Sequence, residues 1–365
     1  MSTPSNKELA QSLYFTIALL KECNYKCNYC YPFGQNKTIG ENMTESEARE
    51  IVESAIISNF NKLKFTGGEP TLVKYLDKLI EYAVDLNPEI IITIITNGTD
   101  LNRHISTFEQ FRDNLRLQFS IDTTNPEHAK YGIYKILNDS VRLKLKDLQN
   151  KGIETRINTV ITKKNEDQLY KMIDVASEFG TSIKLFNLFY QDQYIATDGN
   201  NIRNNNKMNA SDYWRENYVD LNKFLPSLEK RCKDKINNYS KDGRYGISYG
   251  FVINSTEVLL ADTTRGAYYQ SETCIKQCPF FKKLCEKGFY NPHVSSNLIL
   301  YPDDCYNSGL RWNLRHTTME QKLKSIKELL TMFKDVTFVN GQIDPIEKYK
   351  LAYNKNSWNT LTEEK

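Results

Sequence analysis

The sequence lacks any long apolar run. None of its hydrophobic stretches approaches the ~20 residues that a membrane-spanning helix needs, and residues 1–11 (MSTPSNKELAQ) lack the apolar core of a signal peptide. Net charge is also small: 48 Lys and Arg oppose 45 Asp and Glu, which leaves +3. The sequence therefore indicates neither nucleic acid nor a membrane as a partner, and it predicts a cytoplasmic globular protein.

The cysteines do not form the pattern of a disulfide framework. The eight cysteines lie in a chain of 365 residues without an export signal, so metal ligation is the expected use of grouped thiols. Cys23, Cys27 and Cys30 have the spacing C-x3-C-x2-C, and a loop this short can wrap three thiolates round one iron–sulfur cluster. Three ligands leave a [4Fe–4S] cluster with one iron that another molecule can bind.

Other interpretations of this group explain less. A structural zinc site needs four ligands, usually as two C-x2-4-C pairs. Only one such pair is found here, and none of the four histidines lies within a few residues of it. Three inert buried thiols would not explain the tight clustering.

Apolar stretches alternate with helical patterns over the first 190 residues. Strands are predicted at 13–20, 62–66, 89–96, 115–122, 153–162 and 182–190, and helices at 46–58, 72–86, 135–151 and 166–179. This alternation predicts an α/β fold, a partial (β/α)6 TIM-type barrel with a parallel sheet. The cysteine loop, GGEP (67–70), TNG (96–98) and SID (120–122) all follow strands, and ligands bind at the carboxyl ends of such strands.

A second cysteine group lies in the last third of the chain. Its members, Cys274, Cys278, Cys285 and Cys305, have the spacing C-x3-C-x6-C-x19-C. Four cysteines suit zinc or a fully ligated [4Fe–4S] cluster equally, so the chemistry alone leaves the metal open. Around them, a hairpin is predicted at 244–260, a strand at 297–301 and a helix at 318–333. Cys232 stands alone and is predicted to be structural.

The motif CNYKCNYCYP at 23–32, followed by GGEP, resembles the radical S-adenosylmethionine (SAM) enzymes. Among them, the chain resembles the GTP 3′,8-cyclase of molybdenum cofactor synthesis and its relatives. The resemblance implies that the first cluster binds SAM and cleaves it to methionine and a 5′-deoxyadenosyl radical, which abstracts hydrogen from a substrate. It also implies one auxiliary [4Fe–4S] cluster, held by the second cysteine group in a small C-terminal twitch-like domain.

The resemblance further assigns contacts to SAM. Tyr29 would lie along the adenine, and GGEP would meet the SAM ammonium. The segments that end the next three strands would reach its methionyl and ribose groups. Arg156 shares a strand face with Asn158 and is placed to pair with a carboxylate. The SAM-binding residues are thus expected to be Tyr29, Gly67, Gly68, Glu69, Thr96, Asn97, Ser120, Arg156 and Asn158; no catalytic acid or base is assigned.

Several positions depart from the cyclase pattern. Thr16 stands where the cyclase has a GTP-binding Arg, and PFFKKL between Cys278 and Cys285 lacks the Arg segment found there. The first pair of the second group is C-x3-C rather than C-x2-C, and the chain ends NTLTEEK without a di-glycine. We therefore expect an enzyme that oxidises or cyclises another substrate, a small molecule or a peptide, with electrons from a flavodoxin- or ferredoxin-type donor.

Two alternatives stay open. One is a ribosomal-peptide maturase that forms a cross-link or epimerises a residue; the other is a non-catalytic iron–sulfur or zinc scaffold. The predicted organisation is an N-terminal tail (1–12), the barrel (13–192), a linker and helix (193–239), the auxiliary-cluster domain (240–315), and a C-terminal helix and tail (316–365). Because the first strand is predicted near residue 13, no leader-binding domain is expected before it, which weighs against the maturase.

Metal analysis tests the first cysteine group directly. The protein purified without oxygen should be coloured and should contain iron together with acid-labile sulfide. Zinc without sulfide at residues 23–30 would fit only the scaffold.

Overall fold

The computed structural model describes residues 5–30, 42–188, 216–236, 249–261, 267–270, 291–302, 310–334 and 337–340. Six parallel strands form its centre: β1 (Phe15–Ala18), β2 (Lys62–Thr66), β3 (Ile91–Thr96), β4 (Leu115–Ser120), β5 (Glu154–Ile161) and β6 (Ser182–Asn187). They follow one another in sheet order as in sequence. The predicted α/β fold with a parallel sheet of the partial TIM-barrel type is confirmed.

Helices follow the strands along the chain, as the alternation predicts. They are α1 (Asn6–Ser12), α2 (Glu45–Ile57), α3 (Leu76–Leu86), α4 (Ile105–Gln110), α5 (Asp139–Asn150), α6 (Leu169–Glu178), α7 (Leu225–Arg231) and α8 (Met319–Phe333). The predicted capping box of α2 is confirmed: Thr44 accepts from the Glu47 amide, and the Glu47 carboxylate accepts from the Thr44 amide.

The two faces of the sheet differ in chemistry. One register row, Ile17, Phe65, Ile94 and Leu117, is fully buried in the core against the helices. Because side chains alternate along a strand, the neighbouring row faces the other way, into the barrel. That row is Thr16, Lys64, Thr93 and Arg116. The barrel is therefore held by its apolar outer face and keeps a polar interior.

Strands from the last third of the chain extend the sheet at both edges. β9 (Thr256–Ala261) pairs parallel with β6 and forms a hairpin with β8 (Tyr249–Ile253), which confirms the predicted hairpin. At the opposite edge, β11 (Pro292–Val294) pairs parallel with β1, and β12 (Ile299–Pro302) adds antiparallel to β11. The proposed domain boundaries at 193, 240 and 316 stay predictions.

Four short strands complete the described structure. β7 (Asp234–Lys235) pairs with β8, and β13 (Trp312–Asn313) pairs with β12, so both lie at the outer edges of the main sheet. β10 (Ala267–Gln270) and β14 (Thr337–Asn340) pair with each other in a separate ribbon. No helix in the described ranges is both long and apolar enough to cross a membrane.

The N-terminal residues are more ordered than predicted. The expected polar tail over 1–12 is wrong for Asn6–Ser12, which form α1 with Leu9 and Ala10 buried. Ser5 and Glu8 make a capping box at its start, and this S-x-x-E signal is legible in the sequence. The predicted C-terminal helix is confirmed as α8, capped by Thr318, and it packs against α1 and α2.

The α2 cap gives a stability test. Thr44→Ala removes the acceptor for the Glu47 amide and should lower the free energy of unfolding by about 1 kcal/mol, measured by denaturant titration. Ser46→Ala is the matched control, because Ser46 lies exposed in the same first turn. An equal loss from Ser46→Ala would show that the cap is not the source.

Candidate metal and cofactor site

The segments singled out in the sequence converge at the carboxyl ends of the strands. The cysteine loop follows β1, GGEP follows β2, and Asn97 follows β3. Ser120 is the last residue of β4 and lies in register with Asn158 on β5. The parallel arrangement places these ends on one rim of the sheet, where bound ligands are found in such folds.

Two glycines allow the cysteine loop and the GGEP turn to touch. The Gly68 amide donates to the Leu20 carbonyl at 2.8 Å, and the Glu69 amide donates to the Glu22 carbonyl at 2.8 Å. A Cβ on Gly68 would lie 1.9 Å from the Glu22 carbonyl oxygen, and a Cβ on Gly67, whose φ is +133°, would lie 2.3 Å from the Leu20 oxygen. These glycines thus have a structural reason in this chain, besides any contact with SAM.

The Glu69 carboxylate joins the ends of β2 and β3. The side chain is 1% exposed. Its Oε1 accepts from the Thr71 amide and hydroxyl (3.1 and 2.7 Å) and from the Thr96 hydroxyl (2.6 Å), and Oε2 accepts from the Asn97 amide (2.7 Å). Burial raises the pKa of Glu69, and these four donors oppose that shift.

Asn97 connects this buried carboxylate to the cysteine loop. Its Nδ2 donates to Asn24 Oδ1 at 2.8 Å and lies 3.8 Å from the Cys23 sulfur. Its Oδ1 accepts from the amide and hydroxyl of Thr99, and the Thr99 hydroxyl accepts from Asn24 at 2.6 Å. The structure therefore brings Glu69, Thr96 and Asn97 into one network beside the first cysteine.

The three cysteines of the loop are free thiols that face a common region. Cys27 is 2% exposed, whereas Cys23 and Cys30 are partly exposed. Burial raises the pKa of Cys23, and burial raises the pKa of Cys27 to about 11. Backbone amides act in the opposite direction: that of Tyr25 donates to Cys23 at 3.4 Å, and that of Tyr134 donates to Cys27. Cys23 and Cys27 therefore favour the protonated form, and a metal that bound them would displace those protons.

The donor set of the loop, three cysteine thiols, is of the kind that holds an iron–sulfur cluster. Across the described ranges, no three His, Cys, Asp or Glu side chains are placed to hold one metal ion. A [4Fe–4S] cluster binds each thiolate through a different iron, so its ligands surround a volume instead of meeting at one point. Cys23, Cys27 and Cys30 are free, and each interacts electrostatically with Lys135. These residues fit a three-thiolate cluster.

Two charged residues that the sequence reasoning missed lie beside the thiols. Asp122 accepts a short hydrogen bond from the Tyr29 hydroxyl and another from the Val160 amide at 2.8 Å. The Lys135 ammonium lies 5.3 Å from the centre of the Tyr29 ring. Burial acts to lower the pKa of Lys135, but Asp122 and the three thiols together raise it above its ordinary value. Lys135 therefore places a positive charge next to the thiols.

Lys135 was missed because the sequence predicted it as the first residue of a helix. A helix over 135–151 is wrong at its N-terminus, since α5 begins at Asp139 and is capped by Asn138, whose side chain accepts from the Val141 amide. Residues 133–138 are not helical, and Ile136 forms a β-bridge with Thr123. An Asn followed by Asp and an apolar periodic run is a cap signal that could have located this start.

The β5 residues Arg156 and Asn158 lie on one strand face, as predicted. Asn158 Nδ2 donates to Gln118 at 3.0 Å, while its Oδ1 is buried without a hydrogen-bond partner in the described structure. Arg156 donates to the Ser182 hydroxyl at 2.9 Å and lies 3.8 Å from Glu257 on β9. The predicted pairing of Arg156 with a carboxylate is thus satisfied by the protein itself.

The second cysteine group lies outside the described residues. Cys274, Cys278, Cys285 and Cys305 fall between β10 and β11 and after β12. The auxiliary cluster and its twitch-like domain remain predictions.

Fold and site together define an α/β protein of the partial TIM-barrel type with three free thiols at the carboxyl rim of its sheet. Residues 17–176 match the family model of the Radical SAM superfamily. The resemblance stated from CNYKCNYCYP and GGEP is confirmed.

Curated relatives include GTP 3′,8-cyclases. That of Campylobacter curvus is 31% identical over 166 residues, which are 45% of this chain and 51% of the relative. That of Clostridium botulinum is 27% identical over 205 residues, 51% of this chain and 61% of the relative. The chain thus matches between 51% and 61% of the length of these two relatives.

Solved structures share the fold at low identity. Streptococcus suis SuiB bound to precursor peptide SuiA has a TM-score of 0.52 and 17% identity, covering 88% of this chain and 64% of that one. Native anSMEcpe with bound AdoMet has a TM-score of 0.52 and 16% identity, covering 97% of this chain and 100% of that one.

The Glu69 network gives the second stability test. Glu69→Gln turns one acceptor oxygen into an amide donor that faces buried donors, so the free energy of unfolding should fall by about 3 kcal/mol. Glu53→Gln is the control, because Glu53 is only partly buried and accepts a hydrogen bond from the Tyr82 hydroxyl. Its effect should stay within about 0.5 kcal/mol. Equal effects of the two substitutions, measured by denaturant titration, would contradict the role given to Glu69.

Proposed function

We propose that this protein is a radical SAM enzyme that abstracts hydrogen from a small molecule or a peptide and oxidises or cyclises it. The observation that carries the proposal is a loop with three free thiols on the rim of a radical SAM domain, the first of which, Cys23, lies beside the Glu69–Thr96–Asn97 network. A metal-binding scaffold would need the thiols but not the network beside them.

Cys23, Cys27 and Cys30 would hold a [4Fe–4S] cluster with one iron lacking a protein ligand. When bound, that cluster supplies the electron that cleaves SAM to methionine and a 5′-deoxyadenosyl radical. The positive charge of Lys135 beside the thiols would favour the electron-rich, reduced form of the site by Coulombic attraction.

The chain offers polar groups to SAM around this position. Glu69 Oε2 accepts one hydrogen bond, from the Asn97 amide, so a second lone pair can receive the SAM ammonium. Asn158 Oδ1 is a buried acceptor suited to a ribose hydroxyl. Ser120 lies next to Asn158 in the register and would contribute a hydroxyl. Thr96 would act through Glu69, to which its hydroxyl donates.

The ring of Tyr29, the GGEP backbone and the Arg156 side chain are also proposed to act on SAM. Tyr29 would offer its ring to the adenine, while its hydroxyl stays on Asp122. Gly67 and Gly68 would let the GGEP backbone approach SAM closely, as they already let it approach residues 20–22. Arg156 would act on SAM indirectly, because Glu257 and Ser182 orient its guanidinium.

The auxiliary site and the substrate class rest on the sequence and on relatives. Cys274, Cys278, Cys285 and Cys305 would hold a second [4Fe–4S] cluster that accepts an electron during substrate oxidation. The cyclase relatives take GTP by their name, and SuiB is described with a precursor peptide. A small molecule is the first candidate substrate. A peptide is the second, in which case the protein would be a ribosomal-peptide maturase.

Replacement of one ligand tests the activity. Cys27→Ser should abolish formation of 5′-deoxyadenosine from SAM under anaerobic, reducing conditions, because the cluster loses one of its three thiolates. Its iron content should fall from about eight to about four per chain if the auxiliary cluster is intact.

Cys232→Ser is the matched control. Cys232 lies on the outside of the barrel at the end of α7, where its thiol donates to the Glu229 carbonyl at 3.1 Å. This variant should retain both iron and SAM cleavage. Unchanged 5′-deoxyadenosine formation in Cys27→Ser, measured by chromatography, would refute the proposed function.

A further inference from the structure

A reducing electron must enter a radical SAM site from outside, and one surface of this chain lies directly against the proposed ligand thiols. We call it the entry surface and define it by Tyr25, Lys26, Lys130, Tyr131, Tyr134 and Lys164. The inference drawn from it rests on the proposed function.

Tyr134 links this surface to a thiol. Its backbone amide donates to the Cys27 sulfur, while its side chain is 37% exposed. Its ring lies 6.3 Å, centre to centre, from that of Tyr25, which precedes Cys27 by two residues. A molecule that contacts the Tyr134 side chain is therefore separated from the Cys27 sulfur, a proposed cluster ligand, by Tyr134 alone. Because electron transfer slows steeply with distance, this short path favours entry here.

The segment that carries Tyr131 and Tyr134 is fastened to the cysteine loop. The Asn28 amide donates to the Gly132 carbonyl at 3.0 Å, and Asn28 Nδ2 donates to the Tyr131 carbonyl at 3.1 Å. Gly132 has φ +75°, and a Cβ there would lie 2.2 Å from the Asn28 side chain. The close fit keeps the surface and the thiols in a fixed relation.

The surface combines exposed aromatic rings with lysines. Tyr131 is 40% exposed, and the ammonium groups of Lys130 and Lys164 lie 5.1 and 5.4 Å from its ring centre. Lys26 is exposed between Tyr25 and Cys27. Among the described residues, two carboxylates lie nearby. Glu127 is 3.8 Å from Lys130, with both side chains largely in solvent. An exposed pair of this kind is worth little and opens readily to a partner. Asp167 is exposed and lies 3.9 Å from His128, whose ring neighbours that of Tyr131.

Exposed rings are uncommon elsewhere in the described chain. Its exposed large hydrophobic side chains are Ile57, Leu86, Tyr131, Tyr134 and Leu143. Both aromatic members lie on the entry surface, three residues apart. Tyrosines surrounded by charged residues are typical of protein–protein interfaces. The aromatic ring supplies contact area, and the charges steer the partners together.

We propose that the entry surface is the docking site of an acidic one-electron carrier protein. Carboxylates of the carrier would meet Lys26, Lys130 and Lys164, while its redox group approaches Tyr134. In each encounter the carrier loses one electron and the site bound by Cys23, Cys27 and Cys30 gains it; no covalent bond forms or breaks. Such interfaces are small and brief, so association is set mainly by charge.

Charge reversal tests this docking. The double variant Lys130→Glu/Lys164→Glu of the full chain, with its clusters assembled, is mixed with photoreduced flavodoxin, an acidic carrier, in a stopped-flow instrument. Bleaching of the cluster absorbance gives the second-order rate constant. It should fall at least ~10-fold, and its dependence on salt should weaken, because steering attraction is lost. Reduction by dithionite, which needs no docking surface, should be unchanged.

Lys146→Glu/Lys230→Glu is the matched control, with the same change of charge on exposed residues of the outer helices α5 and α7. It should reduce the rate much less than the entry-surface variant. If the glutamates impair folding, Lys130→Gln/Lys164→Gln serves instead, with a smaller loss of rate.

Equal slowing by both double variants, or none by either, would overturn the docking site while leaving SAM cleavage with dithionite intact. If the unaltered protein did not cleave SAM with dithionite as the reductant, that result would count against the proposed function itself. Slowing by the entry-surface variant with both carrier and dithionite would mean damage to the site and would also overturn the inference.

Discussion

The candidate site depends on one buried anion, the Glu69 carboxylate. Four donors from the turn after β2 and the end of β3 surround it. A buried carboxylate is costly without partners, so the Glu69 site forces its neighbours into one arrangement. Asn97 then extends that arrangement to Asn24 and Cys23. The geometry of the first thiol thus follows from a charge that itself binds no metal.

Close backbone contacts also hold the cysteine loop in place. Gly68 and Glu69 continue the β1–β2 pairing past the strands into residues 20–22, which lead to Cys23. On the far side of the loop, Gly132 packs against Asn28. The loop is held between two glycine contacts. An alanine at Gly68 would meet backbone, and one at Gly132 would displace the Asn28 side chain at a positive φ that favours glycine. The loop that carries the thiols is therefore held by contacts of the protein itself, which limits the entropy lost when a cluster binds.

Much of the barrel could be predicted because its signals are local. The strand at 62–66 and the capping box of Thr44 and Glu47 depend on a few neighbouring residues, and both match the structure. Asp122 and Lys135 were missed because their importance comes from Tyr29, a residue more than 90 positions away. The edge pairing of β11 with β1 is likewise invisible to periodicity, since the two strands are separated by most of the chain. The roles assigned to Ser120 and Arg156 came from family resemblance, and the chain alone would not have suggested them.

The position of β1 has a consequence for how this protein is made. β1 is flanked by β2 on one side and by β11 on the other, and the Tyr14 amide is held by the Asn291 side chain. On the ribosome, the strand that leads into the cysteine loop must wait for the last fifth of the chain before its second neighbour exists. Until then the nascent barrel has an open edge at β1, and unpaired strands of this kind favour association with other chains. Cellular factors that shield nascent chains or deliver iron and sulfide could bind the chain during this interval, before β11 is made.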